Sequence, residues 1–131
     1  MKEYIEMGID VKKTQKYYNS ITTDDLCSCN YCKNYYFQVK SAYPLVANYL
    51  ASIGVDIQKP FEISPLEPDT NGILEYCTCQ YIVFGKYQTF HSHKVENVEF
   101  RIATSFPDTG IDDEHFVLEL YPIRLKYVVY K

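Results

Sequence analysis

The chain has 131 residues, of which 47% are hydrophobic, and this is enough to bury one core of ordinary domain size. Lysine and arginine number 13 against 17 aspartates and glutamates, so the net charge is -4. The basic residues are scattered along the chain, which argues against the basic stripe by which proteins bind nucleic acid. We therefore predict a single domain over residues 1–131 whose partner is a protein or a small molecule and not a nucleic acid.

The sequence carries no apolar run long enough to span a bilayer, and residues 1–7 lack the apolar region of a signal peptide. We therefore predict a cytoplasmic protein with no membrane partner. Thiols stay reduced in the cytoplasm, so the five cysteines are expected to be core residues, metal ligands or transient redox groups.

The first half of the chain, about residues 8–54, has helical signals. Asp10 is a suitable N-cap for a short helix, and residues 22–25 match the start of a second, longer one. Pro44 cannot lie inside a helix without disturbing it, so we predict a break just before it and a further helix that has Pro44 in its first turn and Gly54 as its C-cap.

Apolar side chains in this half recur at the spacing of a buried helical stripe, from which Asn34 and Lys40 are absent. The stripe predicts that two of the cysteines face the core. Its members are Cys29, Cys32, Tyr36, Val39, Tyr43, Val46 and Leu50.

The second half, about residues 60–131, has strand signals. A short strand near residues 61–63 is followed by turn residues and by a long strand over residues 73–84, and two more strands alternate at residues 98–102 and 116–120. The tail from Pro122 suits either a fifth strand or a short helix. We predict an α+β fold in which N-terminal helices pack on one face of an antiparallel sheet of about four strands, arranged as a meander.

Alternation along the long strand assigns its side chains to two faces. The first face is predicted to carry Tyr76, Thr78, Gln80, Ile82 and Phe84. The other face is predicted to carry Cys77, Cys79, Tyr81 and Val83.

The cysteine spacing is the clearest chemical signal. Cys29 and Cys32 form a C-x-x-C pair whose sulfurs meet in the first turn of a helix, which suits zinc. A structural zinc site normally needs four ligands. Candidates for the others are Cys27, the strand pair Cys77 and Cys79, and His91 with His93.

Two other interpretations of the same pair stay open. A thiol oxidoreductase also uses C-x-x-C, but its motif follows a strand, and nothing strand-like precedes Cys29. Alternatively, Cys29 and Cys32 are small hydrophobic residues of the core.

No nucleotide-binding, hydrolase or metalloprotease motif occurs in the sequence. Fourteen tyrosines without a tryptophan are typical of binding surfaces. We therefore expect a non-catalytic binding or protein-interaction domain without a cofactor, and we name Tyr76, Thr78 and Gln80 as its contact surface, provided that they face solvent. The alternatives are a zinc-stabilised domain with Cys29, Cys32, His91 and His93 as ligands, and a thiol redox protein.

The segment Cys29-Asn30-Tyr31-Cys32-Lys33-Asn34-Tyr35 resembles a C-x-x-C-[KR]-N-aromatic segment in a group of small uncharacterised bacterial proteins. The resemblance continues through a helix that ends in Gly54-Val55-Asp56 and through a late strand at residues 116–120, and it covers about residues 27–127. Cys27, Cys77 and Cys79 lie outside the shared pattern. No activity is established for that group, so the resemblance implies one recurring domain and no mechanism.

Overall fold

The structure is a computed structural model that describes residues 8–87, 90 and 92–128. Within these residues three α-helices precede a six-stranded antiparallel sheet, so the α+β class and the helices-first order are as predicted, whereas the sheet has more strands than the four expected. The helices are α1 (Val11–Ser20), α2 (Asn30–Ala42) and α3 (Pro44–Ser52). The strands are β1 (Glu62–Pro65), β2 (Ile73–Phe84), β3 (His93–Val95), β4 (Val98–Ile102), β5 (His115–Tyr121) and β6 (Ile123–Lys126).

Helix α1 begins where its cap predicts. The Asp10 carboxylate accepts a hydrogen bond of 3.0 Å from the backbone N–H of Lys13, which satisfies one of the donors that the first turn leaves unpaired.

The predicted start of the second helix is wrong. Residues 23–25 form only a short 3-10 turn, in which the Asp25 carboxylate accepts from the N–H and the hydroxyl group of Thr22 at 2.8 and 3.2 Å. Such contacts also occur at the start of a longer helix, so the local capping signal alone did not decide whether a helix follows. The longer helix starts later, at Asn30, with Cys29 as its N-cap.

The break between α2 and α3 lies at Tyr43, and Pro44 occupies the first turn of α3 as predicted. At the other end, Gly54 takes a left-handed conformation with φ of +89°. The N–H of Gly54 donates to Ala51 and the N–H of Val55 donates to Leu50, which is the Schellman arrangement that closes a helix.

The sheet has the order β1-β2-β5-β4-β3, and β6 also pairs with β2. Strands β3, β4 and β5 form a meander. The predicted meander fails at β2, because β2 pairs with β5 and not with the strand that follows it in sequence. The tail forms a strand, β6, which extends the β2 ladder beyond Pro122.

Side chains of β2 do not alternate strictly. Tyr76 and Cys79 both lie in the main core, so the alternation shifts by one residue between them. The prediction that Tyr76 shares a face with Ile82 and Phe84 is therefore wrong, since Ile82 and Phe84 belong to a second, smaller apolar cluster.

The main core lies between the helices and one face of the sheet and contains several fully buried tyrosines. On the opposite face, the small cluster around Ile82 and Val117 is covered in part by Tyr17 of α1 and by Ile111. A polar row crosses the same face, where Gln80 donates to Glu119 at 2.9 Å and Glu119 pairs with Arg101.

Helix α1 pairs with the edge of β2 that the short strand β1 leaves open. The N–H of Asp10 donates to the carbonyl of Phe84 at 2.9 Å, the N–H of Phe84 donates to the Thr14 hydroxyl at 3.1 Å, and the Tyr18 hydroxyl donates to the carbonyl of Ile82 at 2.7 Å. These bonds satisfy backbone groups that a neighbouring strand would otherwise pair.

Candidate metal centre

Three cysteines meet at the start of α2. The sulfur atoms of Cys27, Cys29 and Cys32 all lie within 4.8 Å of one another, and among the described residues these form the only group of three or more His, Cys, Asp or Glu side chains at such distances. Cys27 and Cys29 are exposed, whereas Cys32 is buried. We refer to these three residues as the cysteine cluster.

The helix start explains how the cluster is built. Cys29 is the N-cap of α2, and its sulfur accepts a hydrogen bond of 3.4 Å from the N–H of Cys32. The carbonyl of Cys29 accepts from the N–H of Lys33 at 2.9 Å. A sulfur atom thus takes the place of the oxygen that usually caps a helix, and the i,i+3 spacing brings Cys32 beside it.

The two cysteines of the C-x-x-C pair differ in acidity. Burial raises the pKa of the Cys29 thiol, but several hydrogen bonds lower it by more, so the pKa is below the ordinary value. These bonds come from the thiol and the N–H of Cys32, from the Cys27 thiol and from the backbone of Tyr31. Burial, and then the hydrogen bond to Cys29, raise the pKa of Cys32 well above the ordinary value. Cys29 is therefore the more acidic thiol of the pair.

Of the two predicted histidine ligands, the structure describes only His93, which does not join the cluster. His93 lies on β3 with its side chain 9% exposed, where its ring stacks on Phe100 with centroids 4.9 Å apart and meets the edge of Tyr49. It is not part of the three-cysteine group. His91 lies outside the described residues.

The strand cysteines are also separate from the cluster. Cys79 is fully buried in the main core, and Cys77 is half-buried on the same strand. The structure therefore brings Cys29 and Cys32 together with Cys27 alone among the ligand candidates that it describes.

The predicted contact surface is mostly interior. Tyr76 is 0% exposed, and its hydroxyl group donates to the carbonyl of Tyr31 at 2.6 Å. Gln80 is 6% exposed and belongs to the polar row with Glu119. Thr78 is half-exposed and donates to the Ser64 hydroxyl at 3.2 Å.

Sequence reasoning missed Asn34, which is fully buried although it lies off the predicted stripe. Its amide oxygen accepts from Gln38 at 2.7 Å and from the N–H of Val128 at 2.9 Å, and its amide nitrogen donates to the Tyr76 hydroxyl at 3.4 Å. Asn34 thus ties α2 to the end of the sheet next to the cluster. The sequence feature that could have identified this residue is its position as the asparagine of the C-x-x-C-[KR]-N-aromatic segment.

Two cavities adjoin the cluster. The larger, of about 280 Å³, has mostly apolar walls and includes Leu26, Cys27, Tyr36 and Phe37 in its lining. The smaller, of about 100 Å³, is lined by Cys27 and Cys32 together with residues that include Asp25 and Glu62. Cys27 thus lies in the wall of both cavities.

Comparisons of the chain with family models, with curated proteins and with solved structures find no significant match. The resemblance to the group of small bacterial proteins therefore stays a prediction. None of the described helices is long and apolar enough to cross a membrane.

Proposed function

We propose that this domain binds a soft metal ion, with zinc as the reference case, through the thiolates of Cys27, Cys29 and Cys32. The observation that carries the proposal is the approach of three sulfur atoms to within 4.8 Å of one another. This assignment keeps the C-x-x-C pair of the zinc alternative and replaces its histidines with Cys27.

The distances support a metal site. With Zn–S bonds of about 2.3 Å and tetrahedral angles, the sulfurs of a zinc site lie about 3.8 Å apart. The cluster therefore needs to contract by no more than about 1 Å, and Cys27 and Cys29 are exposed, so their side chains have room to turn.

The surroundings of Cys29 favour this use over a redox pair. Cys29 follows a 3-10 turn and an irregular loop, whereas a thioredoxin-like motif follows a strand. Three converging thiols exceed the two that a dithiol reaction needs, and thiolates are the ligands that zinc and other soft ions prefer.

The test is elemental analysis of tag-free protein that is purified anaerobically and then supplied with zinc and desalted. We expect about one zinc per chain, and we expect Cys29→Ser and Cys32→Ser each to weaken zinc binding by more than about 10-fold, since loss of an outer partner alone has an effect of that size. Cys77→Ser is the matched control and keeps the metal. The proposal would be overturned if the wild-type protein retained no zinc after desalting, or if Cys29→Ser retained as much zinc per chain as the wild type.

A further inference from the structure

A zinc ion held by the three sulfurs of the cysteine cluster would have one coordination position left for a further ligand. Zinc sites usually have four ligands, and a site with three protein ligands keeps its fourth position for water or for an exogenous ligand. Within the described part of the chain, no His, Asp, Glu or further Cys belongs to the group formed by the three sulfurs. The fourth donor is therefore expected to come from outside this group.

The larger cavity offers space for such a donor beside the cluster. Its volume of about 280 Å³ lies just below the usual range for small-molecule sites, so its occupant is small. Cys27 contributes to its wall, and Leu26, Tyr36 and Phe37 supply apolar surface.

The charges around this cavity favour an anion. Lys33 and Lys59 line it together with Asp56. The Lys59 ammonium group donates to the carbonyl of Tyr18 at 2.8 Å and lies 4.0 Å from the Asp56 carboxylate. No side-chain partner of Lys33 occurs among the residues that the structure describes, so Lys33 supplies the positive charge that a ligand can use.

We propose, resting on the proposed metal site, that the cavity binds a small carboxylate-bearing thiol whose sulfur completes the coordination of the metal and whose carboxylate pairs with Lys33. A sulfur donor suits an ion that three thiolates already hold. On binding, the thiol loses its proton to solvent and a metal–sulfur bond replaces the bond to water, so nothing is oxidised or reduced. The carbon chain of the ligand lies against the apolar wall.

The test uses the full chain loaded with cobalt(II), whose thiolate charge-transfer absorption reports the number of bound sulfurs. Addition of 3-mercaptopropionate is expected to raise this absorption by about one third, as three thiolates become four. The analogue 3-hydroxypropionate, which lacks the sulfur, should leave the spectrum unchanged. The analogue 2-mercaptoethanol, which lacks the carboxylate, should bind more weakly.

Variants separate the carboxylate contact from the metal contact. Lys33→Gln is expected to raise the Kd for 3-mercaptopropionate about two- to five-fold, the effect of one partly exposed ion pair, without changing the Kd for 2-mercaptoethanol. Lys40→Gln is the matched control, since Lys40 lies on the same helix about 10 Å farther along and outside the lining of this cavity. The Kd of Lys40→Gln for each of the two thiols should equal that of the wild type.

The outcomes distinguish the two proposals. Cobalt bound with a thiolate spectrum that 3-mercaptopropionate does not change would overturn the ligand and leave the metal site standing, with Glu62 in the smaller cavity as a candidate fourth donor. Equal affinity in wild type and Lys33→Gln would overturn the carboxylate contact. A chain that binds no cobalt would overturn both proposals.

Discussion

Tyr35 of α2 and Tyr81 of β2 meet hydroxyl to hydroxyl in the core, with their oxygens 2.5 Å apart. Tyr81 donates its own proton to the carbonyl of Ile57 at 2.6 Å, so Tyr35 is the donor in the bond between the two tyrosines. Both side chains are fully buried, so water cannot replace a lost partner.

Because Tyr35 donates to Tyr81, we expect removal of the Tyr35 hydroxyl and removal of the Tyr81 hydroxyl to lower the stability by different amounts. Tyr81→Phe removes the oxygen that accepts from the Tyr35 hydroxyl and the hydroxyl that donates to the Ile57 carbonyl, and we expect it to lower the free energy of unfolding by about 2–4 kcal/mol. Tyr35→Phe leaves the bond from Tyr81 to Ile57 intact and should cost only about 1 kcal/mol. Denaturant unfolding of both variants measures the difference, and an equal loss in the two would contradict the assigned direction.

The contact between α1 and the edge of β2 gives a second prediction. Thr14 is fully buried, and its hydroxyl accepts from the N–H of Phe84 while donating to the carbonyl of Asp10 at 2.8 Å. Thr14→Val keeps the shape and removes both bonds, so we expect a loss of about 1–3 kcal/mol in the free energy of unfolding. Thr14→Ser keeps the hydroxyl and should retain most of the stability; if both variants are equally stable, the hydroxyl does not hold the edge.

Buried thiol and phenol groups predict a loss of stability at high pH. Burial raises the pKa of Cys79 to about 12, so in the folded chain this thiol stays protonated while in the unfolded chain it ionises near its ordinary value of about 8.5. Because the folded pKa is the higher one, the stabilisation is present below the unfolded value and is lost as the pH rises toward the folded value.

We expect Cys79 to contribute a fall of about 1.4 kcal/mol per pH unit to the free energy of unfolding above about pH 9. Burial also raises the pKa of Tyr81, so a further fall follows at higher pH. Denaturant unfolding at a series of pH values in this range measures the slope. Cys79→Ala should show a shallower slope than the wild type, and identical slopes would contradict the assignment.

The cysteine cluster predicts an order of thiol reactivity in metal-free protein. Cys29 is exposed and has a lowered pKa, whereas Cys32 is buried and has a raised one. Iodoacetamide at neutral pH should therefore modify Cys29 first and Cys32 much more slowly, because the thiolate is the reacting form. Peptide mass spectrometry over time measures the order, and modification of Cys32 at the rate of Cys29 would show that the cluster is not formed as described.

Local signals in the sequence predicted much of the fold. The Asp10 cap, the break at Pro44 and the closing glycine at position 54 each depend on residues within one turn, and the structure has all three. The bounds of β2 were likewise predicted from its composition and flanking turn.

Features that depend on distant partners were not predictable in the same way. Asn34 is buried because Tyr76 and Val128 supply its hydrogen bonds, and both lie far from it in the sequence. The same is true of His93, whose ring is placed by Phe100 and Tyr49. For the candidate site, the C-x-x-C spacing was informative, but the approach of Cys27 to this pair depends on the path of the loop before α2, which the sequence does not reveal.

The three sulfurs of the cysteine cluster come from only six consecutive residues, 27–32. A ligand stabilises a fold only as far as it binds the folded chain better than the unfolded one. The unfolded segment keeps the same thiols close together, so it remains a chelator, and we expect metal binding to add little to the stability of the fold. We therefore expect metal to bind, dissociate and exchange at this site while the rest of the domain stays folded.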